Sequence, residues 1–191
     1  MTELSLDKNT IALVVIDLQN GIAKNPNLRP RSSREVITNA AMLVKAFRVH
    51  NMPVFLVRVE VISEIALKPI ADESMPIPSG PMPADWSDLV PELEQIPSDV
   101  LITKYQSGAF YGTDLDLQLR RRRNDTIVLC GIATDRGVES TARFAYEYGY
   151  QQVFAEDAMT SSSEERHEGA IAFFRRAGRV RATEEIIKGL D

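Results

Sequence analysis

Short runs of hydrophobic residues recur along the chain at the spacing expected for the strands of an α/β protein. Most of these runs are rich in β-branched side chains and show little alternation between apolar and polar positions, which is typical of parallel strands buried on both faces. They predict six strands, at residues 11–16, 54–59, 100–103, 127–130, 152–155 and 180–182.

The segments between these runs repeat their apolar residues with the period of a helix. They predict helices at residues 33–51, 114–122, 137–148 and 163–177. Because strands alternate with helices, we expect right-handed βαβ units. The predicted fold is an α/β three-layer sandwich with a central, mostly parallel six-stranded sheet, and the length of 191 residues fits a single domain over residues 1–191.

Residues 62–98 interrupt this alternation. They contain most of the ten prolines of the chain and only short apolar runs. Proline is excluded from helix interiors and from central strands, so this segment is expected to be a long excursion over the surface. We interpret it as a lid or as a contact in a homo-oligomer, a dimer or larger.

Composition and charge narrow the class of protein. The net charge of −5 argues against a nucleic-acid-binding surface, and the basic run 120–123 is interpreted as a solvated helix end. A single cysteine, Cys130, allows no intrachain disulfide and fits a reducing compartment. The sequence shows no signal-peptide pattern and no apolar run long enough to cross a membrane, so a cytoplasmic location without a membrane partner is expected.

Two charged residues directly follow predicted strands, where a parallel sheet usually binds its ligand. Asp17 follows the run IALVVI, and Lys104 follows the run VLIT. A charge at the base of a strand end needs a partner, and these two groups can pair if their strands are neighbours. Two roles stay open for such a pair. It is either a structural salt bridge or a proton donor and acceptor whose pKa depends on burial and on the neighbouring cation.

Four longer stretches carry a more specific signal: LVVIDLQNGI (13–22), TKYQSGAFYGTDLDLQLRRR (103–122), TIVLCGIATDRGVESTARFAYEYGY (126–150) and EDAMTSSSEE (156–165). Together they resemble the isochorismatase-like hydrolase superfamily over nearly the whole chain. Most members of that superfamily use a triad of aspartate, lysine and cysteine. The resemblance implies that Asp17 is the aspartate and Lys104 the lysine, while Gly137 stands where the cysteine is expected. It also implies a cis peptide bond near residues 132 and 133.

The glycine changes the expected chemistry, because an acyl-enzyme formed from an amide needs a nucleophile. Isochorismatases proper resemble this chain in having glycine at that position, and they cleave a vinyl ether by protonating its alkene carbon. The resemblance therefore implies a hydrolase of a small organic substrate that works by acid–base catalysis, with Gly137 leaving room for water. Two alternatives stay open: a catalytically silent member that binds a small carboxylate, and an amidase with another nucleophile such as Thr134 or Ser140.

The remaining expectations concern the pocket. Its catalytic residues are expected to be Asp17, Lys104 and Gly137. Its substrate-binding residues are expected to be Ala133, Arg136, Phe110 and Tyr105, with backbone N–H groups near residues 133 and 137 forming an anion site. Related bacterial sequences carry tryptophan where this chain has Ser107, which bears on the shape of the pocket.

No metal and no cofactor are expected. Zinc requires clustered nitrogen or sulfur ligands. The two histidines of the chain, His50 and His167, are interpreted as surface residues far apart in sequence.

Overall fold

The computed structural model describes residues 4–62, 67, 69–72 and 82–190. Within these residues a sheet of six parallel strands runs through the centre, in the order β3-β2-β1-β4-β5-β6. The strands are β1 (Ile11–Ile16), β2 (Val54–Val59), β3 (Val100–Lys104), β4 (Thr126–Ile132), β5 (Gln151–Thr160) and β6 (Arg179–Arg181). The predicted fold class is confirmed.

Helices cover both faces of the sheet. They are α1 (Asn20–Ala23), α2 (Ser33–Val49), α3 (Leu115–Arg121), α4 (Glu139–Glu147), α5 (Glu164–Ala177) and α6 (Thr183–Lys188), with a 3₁₀ turn at Pro91–Leu93 and one π-helical turn at Thr134–Val138. Apolar residues of α2 and α6 pack on one face, and those of α3, α4 and α5 pack on the other. The two short helices α1 and α6 were not predicted, because four and six residues are too few to show a helical period.

Strand β1 lies near the middle of the sheet, and all six of its residues are buried. Its side chains alternate between the two core clusters: Leu13 and Val15 face one helical layer, while Val14 and Ile16 face the other. Both faces are therefore apolar, which is why the sequence of this strand shows no alternation.

Gly131 brings the end of β4 against the end of β1. Its φ is +123°, and a Cβ at this position would lie 2.0 Å from the carbonyl oxygen of Ile16. Only glycine fits such a close backbone approach. The pairing of β4 with β5 also shifts register between Leu129 and Gly131. The turn that follows β4 is thereby held beside the residue that follows β1.

Strand β5 is longer than predicted. The predicted strand 152–155 is its first half, and pairing resumes beyond the register shift, where Met159 and Thr160 lie opposite Gly131 and Ile132. The half-buried polar residues Glu156 and Asp157 lie inside β5, although their polarity suggested its end.

The proline-rich excursion is described only in part. Residues 63–66, 68 and 73–81 lie outside the described residues, and the prediction of a lid or oligomer contact falls largely on them. The described part near Trp86 is hydrogen-bonded to the chain just after β1. Gln19 forms an isolated antiparallel β-bridge with Leu89, and the N–H of Val90 donates to the carbonyl of Leu18. In the described parts of the chain, we find no helix with the length and apolar character to span a membrane.

Candidate active site

Asp17 ends β1 with a sharp change of backbone direction. Its φ is +53°, in the left-handed region, and its N–H donates to the carbonyl of Val57 at 2.9 Å. Aspartate is one of the few residues other than glycine that adopt this conformation readily. The strand therefore stops at Asp17, and its carboxyl group lies at the carboxyl edge of the sheet.

Lys104 forms a buried ion pair with Asp17. Its Nζ lies 2.8 Å from Oδ2 of Asp17 and also donates to the carbonyl of Gln106 at 3.2 Å. The exposed fractions are only 4% for Asp17 and 1% for Lys104. The predicted contact between these two groups is confirmed.

The two strands that carry this pair are not neighbours, so the condition under which the sequence allowed the pairing is not met. Strand β2 lies between β1 and β3, and the N–H of Glu60, just after β2, donates to the carbonyl of Lys104. The pair forms nevertheless because the four-carbon lysine side chain is long enough to span the end of the intervening strand.

Burial dominates the electrostatics of Asp17. Removal of the carboxylate from water raises its pKa from 3.8 to about 6, and the neighbouring Lys104 charge and hydrogen bond only partly oppose this rise. Among the described residues, the second carboxyl oxygen, Oδ1, has no hydrogen-bond partner. The group can therefore hold a proton close to neutral pH on an oxygen that no protein group occupies.

Gly137 lies directly against this carboxyl group. A Cβ built on it would lie 2.8 Å from Oδ2 of Asp17, 3.0 Å from Cγ2 of Ile16 and 3.7 Å from Nζ of Lys104. The first distance is shorter than side chains tolerate, so the absence of a side chain is what lets the carboxyl group lie there. The Asp17 carboxyl therefore occupies the space that a side chain at residue 137 would take, and the expected room for water at this glycine stays a prediction.

The π-helical turn that carries Gly137 is held by hydrogen bonds at both ends. The carbonyl of Ala133 accepts from the N–H groups of Arg136 and Val138 at 3.1 and 3.2 Å. At the other end, the hydroxyl of Thr141 donates to the carbonyl of Gly137 at 2.6 Å. The peptide bond between Ile132 and Ala133 is cis, which confirms that expectation.

The structure brings together the three predicted catalytic residues, but the four predicted substrate-binding residues differ in burial and in surroundings. Ala133 is half-buried and begins the turn, while Arg136 and Tyr105 are exposed. Phe110 is buried, and the centroid of its ring lies 5.4 Å from the ring centroid of Tyr148 and 5.6 Å from that of Tyr150. These are the contacts of a core residue, and the substrate-binding roles of all four residues stay predictions.

His167 is fully buried, so its interpretation as a surface residue is wrong. Its Nδ1 lies 2.9 Å from Oγ1 of Thr134, the first residue of the π-helical turn. Burial lowers the pKa of the imidazole, and Arg31 lowers it further. This contact could not be predicted from the sequence, since 33 residues separate the partners and glutamates flank the histidine.

Three possible metal ligands lie near this histidine. Glu156, His167 and Glu168 place one ligand atom each within 4.8 Å of one another. However, the guanidinium of Arg31 donates to Oε1 of Glu156 at 3.1 Å. A positive charge already pairs with the half-buried Glu156, so we assign no metal to the group.

Two described cavities lie elsewhere on the molecule. One, of about 360 Å³, is lined at the start of α2 by residues including Arg31 and Asn39. The other, of about 250 Å³, is lined by residues including Arg58 and Leu101. Neither is lined by Asp17, Lys104 or Gly137, and all three of these residues are buried.

Comparison with known proteins identifies the family. The model of the isochorismatase domain family matches residues 11–185, from the start of β1 into α6. The chain belongs to the isochorismatase family. Its members are hydrolases, and the predicted enzyme class is confirmed at that level.

Individual relatives agree with this assignment. Isochorismatase family protein YwoC of Bacillus subtilis is 50% identical over 190 residues, which is 98% of each chain. The solved structure of an isochorismatase family protein from Burkholderia thailandensis is 42% identical, with a TM-score of 0.90 over 97% of both chains. A probable isochorismatase from Pseudomonas chlororaphis is 33% identical over 106 residues, 55% of this chain and 51% of that protein.

Proposed function

We propose that the protein hydrolyses a small vinyl ether carrying a carboxylate, by acid–base catalysis at Asp17 and without a covalent intermediate. The observation that carries this proposal is the state of the Asp17 carboxyl group. Its pKa is raised to about 6, Oδ2 accepts a hydrogen bond from Lys104 and lies where a Cβ of residue 137 would crowd it, and Oδ1 has no hydrogen-bond partner among the described residues. A proton donor matched to near-neutral pH is what this chemistry requires.

In the proposed reaction, protonated Asp17 donates its proton to the terminal alkene carbon. The remaining carbon becomes an oxocarbenium ion, to which the oxygen of one water molecule adds. The Asp17 carboxylate takes the proton that this water loses. The resulting hemiketal breaks its C–O bond to give a ketone and an alcohol, so that one water is consumed and the acid is restored.

Lys104 has two roles in this scheme. Its charge keeps the pKa of Asp17 from rising further, and it stabilises the carboxylate that forms when the proton leaves. The substrate's own carboxylate is assigned to the exposed guanidinium of Arg136 and to the N–H groups of the turn after Ala133. Because Asp17 is 4% exposed, substrate entry requires movement of the side chains around it.

The probable isochorismatase among the relatives supports this substrate class, since isochorismate is a vinyl ether with carboxylates. The relationship covers 55% of this chain, so it supports the class of reaction rather than one substrate.

One observation favours a second candidate, an amidase with Thr134 as nucleophile. The structure gives Thr134 the histidine partner that the sequence did not reveal, at 2.9 Å. The third group of such a triad would be Glu156, but its Oε1 lies 3.8 Å from Nε2 of His167, beyond hydrogen-bond length. We therefore favour Asp17 as the reacting group over Thr134.

The test uses isochorismate and simpler enolpyruvyl ethers as probes, with pyruvate release as the readout. In D₂O the methyl group of the product ketone is expected to gain one deuterium from solvent. Asp17→Asn is expected to reduce turnover by about 10²–10⁴-fold, because the amide cannot donate the proton. Undiminished turnover in Asp17→Asn, or an acyl group trapped on Thr134 in the mass spectrum, would overturn the proposal. Binding of these carboxylates without turnover would favour the silent member.

A further inference from the structure

The position of the π-helical turn Thr134–Val138 decides the environment of Asp17. A Cβ built on Gly137 would lie 2.8 Å from Oδ2 of Asp17, so the turn lies beside the acid with no room for a side chain between them. A displacement of the turn would therefore change how closely it covers the carboxyl group. Whatever fixes the turn therefore also fixes how completely Asp17 is shielded from water.

Side chains outside the turn hold it on the side of α5. Oγ1 of Thr134 is hydrogen-bonded to Nδ1 of His167 at 2.9 Å, and both side chains are fully buried. Beside it, Asp135 accepts a hydrogen bond from Ser161 and forms an ion pair with Arg166 at 3.5 Å. The Thr134 contact is the one of these that water does not reach, so competition with solvent does not weaken it.

The charged groups around His167 favour one form of the ring. Glu156 on β5 lies 3.8 Å from Nε2, Glu168 is next to the histidine on α5, and Arg31 lies beyond Glu156 and donates to it. A proton on Nε2 would face the carboxylate of Glu156, whereas a lone pair there would face it unfavourably. The neutral ring is therefore expected to carry its proton on Nε2, which leaves Nδ1 to accept from the hydroxyl of Thr134.

We propose that His167 is a positioning residue for the active site: it accepts a hydrogen bond from Thr134 and thereby holds the turn that presses Gly137 against Asp17. This inference rests on the proposed role of Asp17. His167 itself does not act on substrate, because its ring contacts the turn rather than the acid. It affects the reaction indirectly, because the turn that it holds shields the Asp17 carboxyl group from water.

The test is a ¹³C NMR titration of the Asp17 carboxyl, whose signal is assigned by its absence from Asp17→Asn. Thr134→Val removes the hydroxyl while keeping the shape of the side chain. Without the hydrogen bond the turn loosens, water reaches the carboxyl, and the pKa of Asp17 is expected to fall by about half a unit or more. Amide hydrogen exchange at Gly137 and Val138 is expected to speed up by about tenfold or more.

Two further variants separate positioning from general destabilisation. Thr134→Ser keeps the hydroxyl and is expected to restore the wild-type titration. Thr183→Val is the matched control, because Thr183 is also buried and its hydroxyl donates to Asp157 at 2.7 Å, away from the turn. It is expected to lower stability and leave the Asp17 titration unchanged.

The proposal is overturned if Thr134→Val folds with the Asp17 titration and Gly137 exchange of the wild type. His167→Leu removes the same hydrogen bond from the other side and is the second variant if Thr134→Val does not fold. The wild-type protein supplies an independent readout through ¹⁵N NMR of the ring. A neutral ring protonated on Nε2 at neutral pH is expected, and a ring protonated on Nδ1 would also overturn the proposal.

None of these measurements uses a substrate. A failure of the proposed vinyl-ether reaction would appear as undiminished turnover in Asp17→Asn, and turnover is not measured in this test. The two proposals can therefore fail separately.

Discussion

Asp17→Asn is expected to make the protein more stable at neutral pH while it removes the proposed acid. Asparagine has nearly the shape of aspartate and tolerates the left-handed backbone at this position, where φ is +53°. The substitution therefore changes the charge with little change in packing. In the variant, Lys104 loses its anionic partner. The wild type at low pH loses it as well, because its Asp17 is then protonated and uncharged.

The size of the effect follows from the pKa of Asp17. Burial raises it from 3.8 to about 6 on folding, which corresponds to about 3 kcal/mol of unfolding free energy. A group whose pKa is raised in the folded state contributes stability that is fully present below its unfolded pKa. That stability is lost as the pH rises through the folded pKa, so wild type loses it between 3.8 and about 6. Asparagine does not titrate and keeps it.

Urea unfolding at a series of pH values measures this difference. The free energy of unfolding of Asp17→Asn minus that of wild type is expected to grow by about 3 kcal/mol between about pH 4 and pH 7.5. Other titrating groups cancel because both proteins contain them. Asp88→Asn, at an exposed position, is the control for the removal of one carboxylate from the chain. A difference that stays constant with pH, or a variant that loses stability as pH rises, would refute the reasoning.

Three further predictions concern the same site. Gly137→Ala is expected to destabilise the protein by about 1–3 kcal/mol and to reduce turnover, because its Cβ would crowd Asp17. The control is Gly169→Ala, which has open space around it and is expected to be neutral or stabilising in thermal unfolding. Lys104→Met is expected to raise the pKa of Asp17 above about 6 in ¹³C NMR, because the lysine charge now lowers it, and a fall would contradict this. The value of kcat/KM, which reports on the free enzyme, is expected to decline as pH rises through about 6, where Asp17 loses its proton. A rise of kcat/KM in that range would rule out Asp17 as a general acid.

The sheet could be predicted because its strands are apolar on both faces. All six residues of β1 are buried, and such a run has no other stable place in an α/β protein. Strand ends were harder, since β5 continues through Glu156 and Asp157 after a register shift. Polar residues in a sequence indicate where burial decreases. In β5 burial decreases at Glu156, whereas strand pairing continues to Thr160.

The candidate site could be predicted in part for a related reason. A charged residue directly after a buried strand is rare enough to stand out, and this signal found both Asp17 and Lys104. It could not give strand order, so adjacency of their strands entered the prediction only as a condition, and β2 in fact lies between them. It also could not find His167, whose contact with Thr134 depends on how α5 packs against the turn after β4.

The direction of the pKa shift at Asp17 favours one of the two roles that spacing left open for the ion pair, and supports the proposed function. In a structural salt bridge the partner charge outweighs burial, the pKa of the acid falls below its ordinary value, and the charged pair stabilises the fold. Here the pKa rises to about 6 in spite of a lysine Nζ 2.8 Å away. At neutral pH, ionisation of Asp17 therefore costs stability relative to its protonated form. A buried acid with this property, restrained by a nearby cation, is suited to proton transfer.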